Sequence, residues 1–390
     1  MMTKYLNKTY GRNDEAANVL KMFNAGRNIS MPGPRRLGKS FFLDRLVTNL
    51  RLKGWRAVKV ELAGLSSTRE VFRELCNKTN TELSGPKKII TWTKQRTFQA
   101  LGSRTESSGP WYQPFLTQDY ETYFERMIQN MHEDKTQRWA ILIDELPIFL
   151  KTLHDKGADG IGLALNFMNM LARLMQNYPS VKWLITGSIG MEPLAKEGLY
   201  MGVMAKFENF EIQPLSTEQS IDFVCDIAKE GGVLSRSVIT KTEAMCITSA
   251  TGWRAAYYLD ALTQKLEGAP TDDPAQAQLL VEQAIEKLLN TTESQKFSTW
   301  EEHLKKHYKK DECDIALAIL KALAPDIDGK SINALMPILN RPELTKVGLK
   351  AILRRMDVEG FITCQDWSND DASICYRNLL LRLWWKRWNC

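Results

Sequence analysis

One octapeptide constrains the fold of this chain more than any other feature of its 390 residues. Residues 33–40 read Gly-Pro-Arg-Arg-Leu-Gly-Lys-Ser and fit the pattern G-x-x-x-x-G-K-[ST]. A short semi-apolar run at 28–32 precedes this pattern, and apolar residues at helical spacing follow it over 40–50. The sequence therefore predicts a strand, a glycine-rich turn and a helix. In such a turn, backbone N–H groups point inward and hold phosphate oxygens at the helix N-terminus.

The motif predicts which residues of this phosphate loop contact the nucleotide and which one contacts the metal ion. Lys39 is expected to reach the β- and γ-phosphates of a nucleoside triphosphate, and the hydroxyl of Ser40 is expected to bind Mg²⁺. The motif thus predicts ATP and Mg²⁺ as ligands. The predicted nucleotide-binding residues of the loop are Gly33, Pro34, Arg35, Arg36, Leu37, Gly38, Lys39, Ser40 and Phe41.

A buried strand further along the chain ends in two acids. The apolar run 141–143 leads directly into Asp144 and Glu145. The first acid can hold the Mg²⁺ ion, and the second can polarise an attacking water as a general base. A plain solvated strand end is the alternative, but the upstream loop favours nucleotide hydrolysis. We therefore predict Asp144 as a metal ligand with Ser40, and Lys39 and Glu145 as catalytic residues.

Charge and composition narrow the class of protein. The formal net charge is +6, and residues 1–60 hold thirteen basic and three acidic residues. This block surrounds the phosphate loop, so its first expected partner is ATP. No run reaches 18 apolar residues, which predicts no membrane span. Seven scattered cysteines show no C-x-x-C spacing, which favours a soluble protein of the reducing cytoplasm.

Strand-like and helix-like segments alternate over the first half of the chain, which predicts a parallel α/β sheet. From 216 onward the pattern is helical, and helices followed by a hairpin near the C-terminus have the outline of a winged helix. The predicted strands after the loop are 57–62, 139–143, 181–186, 210–215, 361–363 and 373–376, and the predicted helices are 163–177, 216–231, 236–249, 253–267 and 274–290. Residues 78–116 are predicted to be an inserted loop or small subdomain.

The chain resembles the P-loop ATPases of the AAA+ and STAND superfamily, and within it the archaeal-type ATPase family. The segments that carry the resemblance are Gly11-Arg12-Asn13-Asp14-Glu15, Gly33-Pro34-Arg35-Arg36, Asp144-Glu145, Thr186-Gly187-Ser188 and Pro214-Leu215-Ser216. The resemblance implies an α/β P-loop core with five parallel strands at 1–215, a helical lid at 216–295 and a winged helix at 296–390.

The resemblance also implies further site residues. Gly11 and Arg12 would lie near the adenine, and Thr186 and Ser188 compete for the role of reading the γ-phosphate. The family's Gly-x-Pro turn is replaced here by residues 252–254, Gly-Trp-Arg. Losing the proline puts the STAND-type switch in doubt, whereas Arg254 resembles the sensor-2 arginine of other AAA+ proteins and is a predicted catalytic residue.

Three hypotheses for function remain open. The first is an ATP-hydrolysing switch that moves the winged helix. The second is an ATP-regulated DNA-binding protein, since residues 78–104 interleave six basic residues with Trp92 and Phe98; a solvated loop is the favoured explanation of that segment. The third is a scaffold for a protein partner, or a homo-oligomer. His303 and His307, four residues apart on a Lys-rich helix, are predicted to lie on a solvated face rather than to bind metal.

Overall fold

A computed structural model describes residue 10 and residues 12–83, 119–230, 232–233, 236–290 and 295–390. Most of the predicted insertion 78–116, and most of the basic segment 78–104, lies outside the described residues. Among the described residues, no helix is both long enough and apolar enough to cross a membrane.

Five parallel strands form the central sheet, as the resemblance implied. Their order across the sheet is β2-β3-β4-β1-β5. The strands are β1 (Asn28–Pro32), β2 (Trp55–Glu61), β3 (Arg138–Asp144), β4 (Val181–Gly187) and β5 (Phe207–Asn209). Because β3 and β4 have a partner strand on each side, both are buried almost throughout, as continuous apolar runs in a parallel sheet should be.

Eight helices of the described residues accompany the sheet, and the second of them follows the phosphate loop. They are α1 (Arg12–Asn24), α2 (Lys39–Leu52), α3 (Thr68–Leu83), α4 (Tyr120–Glu133), α5 (Leu146–His154), α6 (Ala158–Asn177), α7 (Met191–Glu197) and α8 (Met201–Met204). Aromatic side chains of these helices and of β4 form much of the apolar core; Phe124, Phe149, Phe167 and Trp183 are at most 2% exposed. The core fixes the positions of the strand ends, where the candidate site residues lie.

The predicted strand 210–215 is wrong. β5 ends at Asn209; one further N–H, of Phe210, still donates to Ser30 O, and the chain then leaves the sheet. Ile212 and Leu215 are buried, as residues of an inner strand would be, but the N–H of Leu215 donates to Arg254 O instead of to a strand. Pro214 has no N–H with which to continue a ladder.

The remaining elements are helical except for one hairpin. They are α9 (Thr217–Lys229), α10 (Lys241–Thr251), α11 (Ala256–Thr263), α12 (Pro274–Leu288), α13 (Gln295–His307), α14 (Lys310–Leu323), α15 (Ile332–Leu339), α16 (Lys346–Glu359), β6 (Ile362–Cys364), β7 (Ile374–Tyr376) and α17 (Leu379–Trp388). A capping box of Ser216 and Gln219 begins α9. β6 and β7 pair antiparallel close to their predicted positions.

The chain divides into two compact units. The first comprises residues 10–15, Gly33–Lys39 and Glu211–Cys390, so the phosphate loop belongs with the C-terminal helices. The second comprises Ala16–Pro32 and Ser40–Phe210, and it contains the whole sheet.

The prediction that His303 and His307 lie on a solvated face is wrong. Both are buried on α13, in the stripe that also contains Trp300 and Leu304. His303 Nε2 lies 2.9 Å from Glu359 Oε2, and the two imidazole centroids are 4.6 Å apart. The Lys-rich sequence hid this stripe, because the exposed lysines alternate with the buried positions of the same helix.

Candidate functional site

The phosphate loop has the backbone geometry that its glycines and its lysine predict. Gly38 has φ +96° and Arg36 has φ +65°, both in the left-handed region. Lys39 Nζ donates to Gly33 O at 2.6 Å and to Pro34 O at 2.8 Å. Lys39 is buried, and these two carbonyls fix its ammonium group inside its own loop. The protein thus fixes the position of the lysine that the sequence predicts to be catalytic.

Arg12 supports the loop from the N-terminal side. Its Nη2 donates to Leu37 O at 3.2 Å, and its Nη1 donates to Gln213 O at 2.9 Å and to the carboxylate of Glu15. This buried guanidinium therefore joins the loop to the segment that leads into α9. Gly11, the other predicted residue of this box, lies outside the described residues.

The two arginines of the loop are directed toward the helices of the first unit. Arg35 Nη1 donates to Thr299 O at 3.2 Å, and Arg36 Nη2 donates to Thr299 Oγ1 at 2.7 Å. Arg36 also stacks on the ring of Tyr257, with 4.0 Å from its Cζ to the ring centroid. Sequence reasoning missed Thr299 and Tyr257, because nothing in the pattern around either residue marks it as a neighbour of the loop.

Asp144 ends β3 and is fully buried. Neither of its carboxylate oxygens has a hydrogen-bond partner among the described residues, and Lys59 Nζ lies 3.9 Å from Oδ2. A buried carboxylate without donors is costly unless it binds a cation. This side chain therefore fits a Mg²⁺ ion, for which oxygen ligands are preferred. Ser40, the other predicted ligand, is an exposed residue in the first turn of α2.

Glu145 occupies the turn between β3 and α5. Its backbone is left-handed, with φ +56° and ψ +36°, which is uncommon for a residue other than glycine. Its Oε2 accepts two hydrogen bonds at 2.9 Å, one from the N–H and one from the hydroxyl of Ser188. Both donors lie just after β4, so the sheet brings the predicted general base to the predicted sensor segment.

The two sensor candidates have different environments. Ser188 is bound to Glu145. Thr186, opposite Met31 in the register of β4 and β1, is buried, and its hydroxyl has no partner among the described residues. Thr186 therefore has a hydroxyl to offer a ligand, whereas Ser188 has a protein acceptor. Which of them reads a γ-phosphate stays a prediction.

Glu61 is a third carboxylate that sequence reasoning missed. It ends β2 directly opposite Asp144 in the register of the two strands. Burial of its carboxyl and the neighbouring Asp144 carboxylate raise the pKa of Glu61 to about 7. Its position after the alternating run 57–60, at the same sheet edge as Asp144, is the signal that could have identified it.

The two remaining predicted residues are Arg254 and Phe41. Arg254 Nε donates to Leu215 O at 2.7 Å, and Leu215 N donates back to Arg254 O. This pair fixes the arginine next to the beginning of α9. Phe41 is partly buried in α2, where the guanidinium of Arg45 lies 5.7 Å from the centre of its ring.

Comparison with solved structures identifies the fold. A Walker-type ATPase of Pyrococcus abyssi is similar over 97% of this chain and 96% of its own, with a TM-score of 0.63 and 13% sequence identity. The chain has the fold of the AAA+ P-loop ATPases. The ORC2 protein of Aeropyrum pernix, solved with ADPNP and ADP, is similar over 94% of this chain and 89% of its own, with a TM-score of 0.53 and 10% identity. No family model and no curated protein matches the sequence.

These findings confirm the α/β P-loop class and the five-stranded sheet. At 10–13% identity they show the fold alone. The roles of individual residues rest on the geometry above.

Proposed function

We propose that this protein is an ATPase that binds ATP with Mg²⁺ and hydrolyses it to ADP and phosphate. The observation that carries the proposal is the buried Asp144 carboxylate, which has no hydrogen-bond partner among the described residues. It stands at a strand end of an AAA+ fold whose phosphate loop retains the glycines, the lysine and the serine that phosphate binding needs. The ion pair with Lys59 Nζ, at 3.9 Å, is too long for a hydrogen bond, so both carboxylate oxygens keep lone pairs for a metal ion.

Each site residue has a separate role in this proposed reaction. The loop N–H groups bind phosphate oxygens, and Lys39, held by Gly33 O and Pro34 O, supplies a positive charge. Ser40 and Asp144 hold Mg²⁺, which neutralises developing phosphate charge when bound. Glu145 accepts the proton of the attacking water, and the two hydrogen bonds from Ser188 fix the direction of its carboxylate.

We further propose that the ATP state is coupled to the C-terminal helices. The contacts of Arg35 and Arg36 with Thr299 support this, because they join the phosphate loop to α13. In this proposal, residues 1–215 are the ATPase core, residues 216–295 a helical lid with Arg254 as a sensor, and residues 296–390 a winged helix. The order of α14, α15, α16, β6 and β7 supports the last assignment.

Steady-state phosphate release from purified protein tests the ATPase proposal. We expect Mg²⁺-dependent turnover of ATP that is abolished in Lys39→Ala. ATP binding without any turnover in the wild-type protein would support the scaffold hypothesis instead, and co-purification of a partner would then be the next observation.

ATP-regulated DNA binding is a second candidate. The exposed Arg354 and Lys346 on α16 favour it, although Lys346 and Lys350 both pair with Asp370. A gel shift at increasing salt, with and without ATP, tests it, because phosphate contacts weaken steeply with salt. Mass photometry of the same samples measures whether ATP or DNA changes the oligomeric state. Absence of a shift at low salt excludes this candidate.

A further inference from the structure

Two arginines of the phosphate loop contact the same residue of α13. Thr299 accepts from Arg35 with its backbone oxygen and from Arg36 with its hydroxyl, at 3.2 and 2.7 Å. Hydrogen bonds from a guanidinium are stronger than those between neutral groups. Thr299 therefore accepts two charge-assisted hydrogen bonds from the loop, although it lies outside the phosphate-loop motif.

Tyr257 supplies a second contact from α11. The guanidinium of Arg36 lies over its ring at 4.0 Å, within the range of a cation–π interaction. Arg36 is thus held on one side by a hydroxyl and on the other by an aromatic ring.

The backbone of Arg36 shows why such contacts matter. It is the non-glycine residue of the loop with a positive φ, +65°. Its Nη1 is buried and has no hydrogen-bond partner among the described residues. Both features are unfavourable, and strained residues persist only when their surroundings over-determine them. Thr299 and Tyr257 are the residues whose contacts hold the Arg36 side chain in this conformation.

A close steric fit secures the beginning of the loop. Gly360 follows α16, and a Cβ atom there would lie 2.4 Å from Pro34 Cβ. The preceding Glu359 is tied to α13, since its Oε2 lies 2.9 Å from His303 Nε2. The helix that holds Arg35 and Arg36 is therefore fixed to the turn against which Pro34 packs.

We propose that Thr299 and Tyr257 are positioning residues for nucleotide binding: they hold Arg36, and through it the loop backbone, in the form that binds phosphate. This inference rests on the proposed ATPase function and adds the C-terminal helices to the nucleotide-binding machinery. By linkage, nucleotide binding then stabilises the contact of the loop with α13 to the same extent. The loop would be a direct connection between ATP occupancy and the C-terminal helices.

The test is the affinity of the full chain for ADP with Mg²⁺, measured by titration calorimetry. Thr299→Val removes the acceptor of Arg36 at nearly constant volume, and we expect it to weaken ADP binding about threefold to tenfold. The kcat at saturating ATP should stay within about twofold of wild type, because the bound nucleotide itself then holds the phosphate loop in place. Thr299→Ser, which keeps the hydroxyl, should restore the affinity. Thr81→Val is a matched control on α3, where the hydroxyl donates to Asn77 O.

A double-mutant cycle separates positioning through Arg36 from general loosening. In an Arg36→Ala background, Thr299→Val should have no further effect on ADP affinity, because its partner is absent. Additive losses would overturn the inference, as would wild-type affinity in Thr299→Val. Tyr257→Leu provides a second variant if Thr299→Val does not fold. A wild-type protein that fails to bind ADP contradicts the proposed function itself, whereas binding without the Thr299 effect contradicts this inference alone.

Discussion

Ser188 donates two hydrogen bonds to one carboxylate oxygen of Glu145, both at 2.9 Å. A general base needs a fixed direction and a free lone pair at the oxygen that takes the proton. The pair satisfies both requirements, since Oε2 is held and Oε1 has no hydrogen bond to another described residue. In the proposed mechanism, the sensor segment after β4 therefore orients the base, besides its predicted role in reading the γ-phosphate.

This relationship predicts the effect of Ser188→Ala. The hydroxyl donor disappears while the backbone N–H stays, so the carboxylate becomes less well oriented. We expect kcat for ATP hydrolysis to fall about threefold to tenfold, with little change in KM. Ser188→Thr keeps the hydroxyl and should retain most of the activity. An unchanged kcat in Ser188→Ala would show that the backbone N–H alone orients Glu145.

The buried cluster on α13 predicts that the protein loses stability in acid. Burial lowers the pKa of His303 and lowers that of His307 to about 3. Although burial acts to raise it, the hydrogen bond from His303 and the charge of Arg355 leave the pKa of Glu359 lowered. Between about pH 6.5 and pH 3 the unfolded chain therefore binds more protons at the histidines than the folded one, so the free energy of unfolding falls as pH falls.

Chemical denaturation across this pH range measures the effect. Each histidine contributes at most about 1.4 kcal/mol per pH unit. His307→Gln cannot titrate and should show a shallower fall in the free energy of unfolding than wild type. A slope equal to wild type in His307→Gln would refute this assignment.

The fit of Gly360 against Pro34 predicts a specific loss of stability in Gly360→Ala. Gly64→Ala provides a control for the backbone, because Gly64 has φ +86° and open space around it, whereas Gly360 has φ +91° and Pro34 in contact. Both variants should lose about 1–2 kcal/mol from left-handed strain. Gly360→Ala should lose a further 1–3 kcal/mol, roughly, from overpacking against a rigid ring. If denaturation shows the same loss in free energy of unfolding for both variants, Pro34 and the phosphate loop move away from the added methyl group without cost.

Local patterns predicted most of the fold, and long-range contacts account for what they missed. The apolar runs of β3 and β4 and the motif before α2 predicted strands and a helix because apolar periodicity and glycine placement are properties of the local sequence. The strand prediction at 210–215 failed because a segment outside the sheet can also bury its apolar residues. Sequence reasoning missed Thr299 and Tyr257 because both lie on helices more than 200 residues beyond the loop. It missed Glu61 because the proximity of Glu61 to Asp144 depends on strand register.

Lys39→Ala tests the loop itself. Lys39 supplies the ammonium group fixed by Gly33 O and Pro34 O. Its removal should weaken ATP binding about tenfold to a hundredfold, which is the range for a hydrogen bond to a charged group. Titration calorimetry measures the loss, and Lys21→Ala, at an exposed lysine of α1, should bind ATP as wild type does. Wild-type affinity in Lys39→Ala would remove the loop from the proposed site.

The most direct test of the account measures ATP binding and phosphate release in Glu145→Gln beside the wild-type protein. Glutamine keeps the shape of the side chain but cannot accept a proton as a carboxylate does. We predict that ATP affinity stays within a few-fold of wild type while kcat falls about 10²–10⁴-fold. Glu192→Gln, at an exposed site on α7, should behave as wild type. Undiminished phosphate release in Glu145→Gln would contradict the proposed mechanism of hydrolysis.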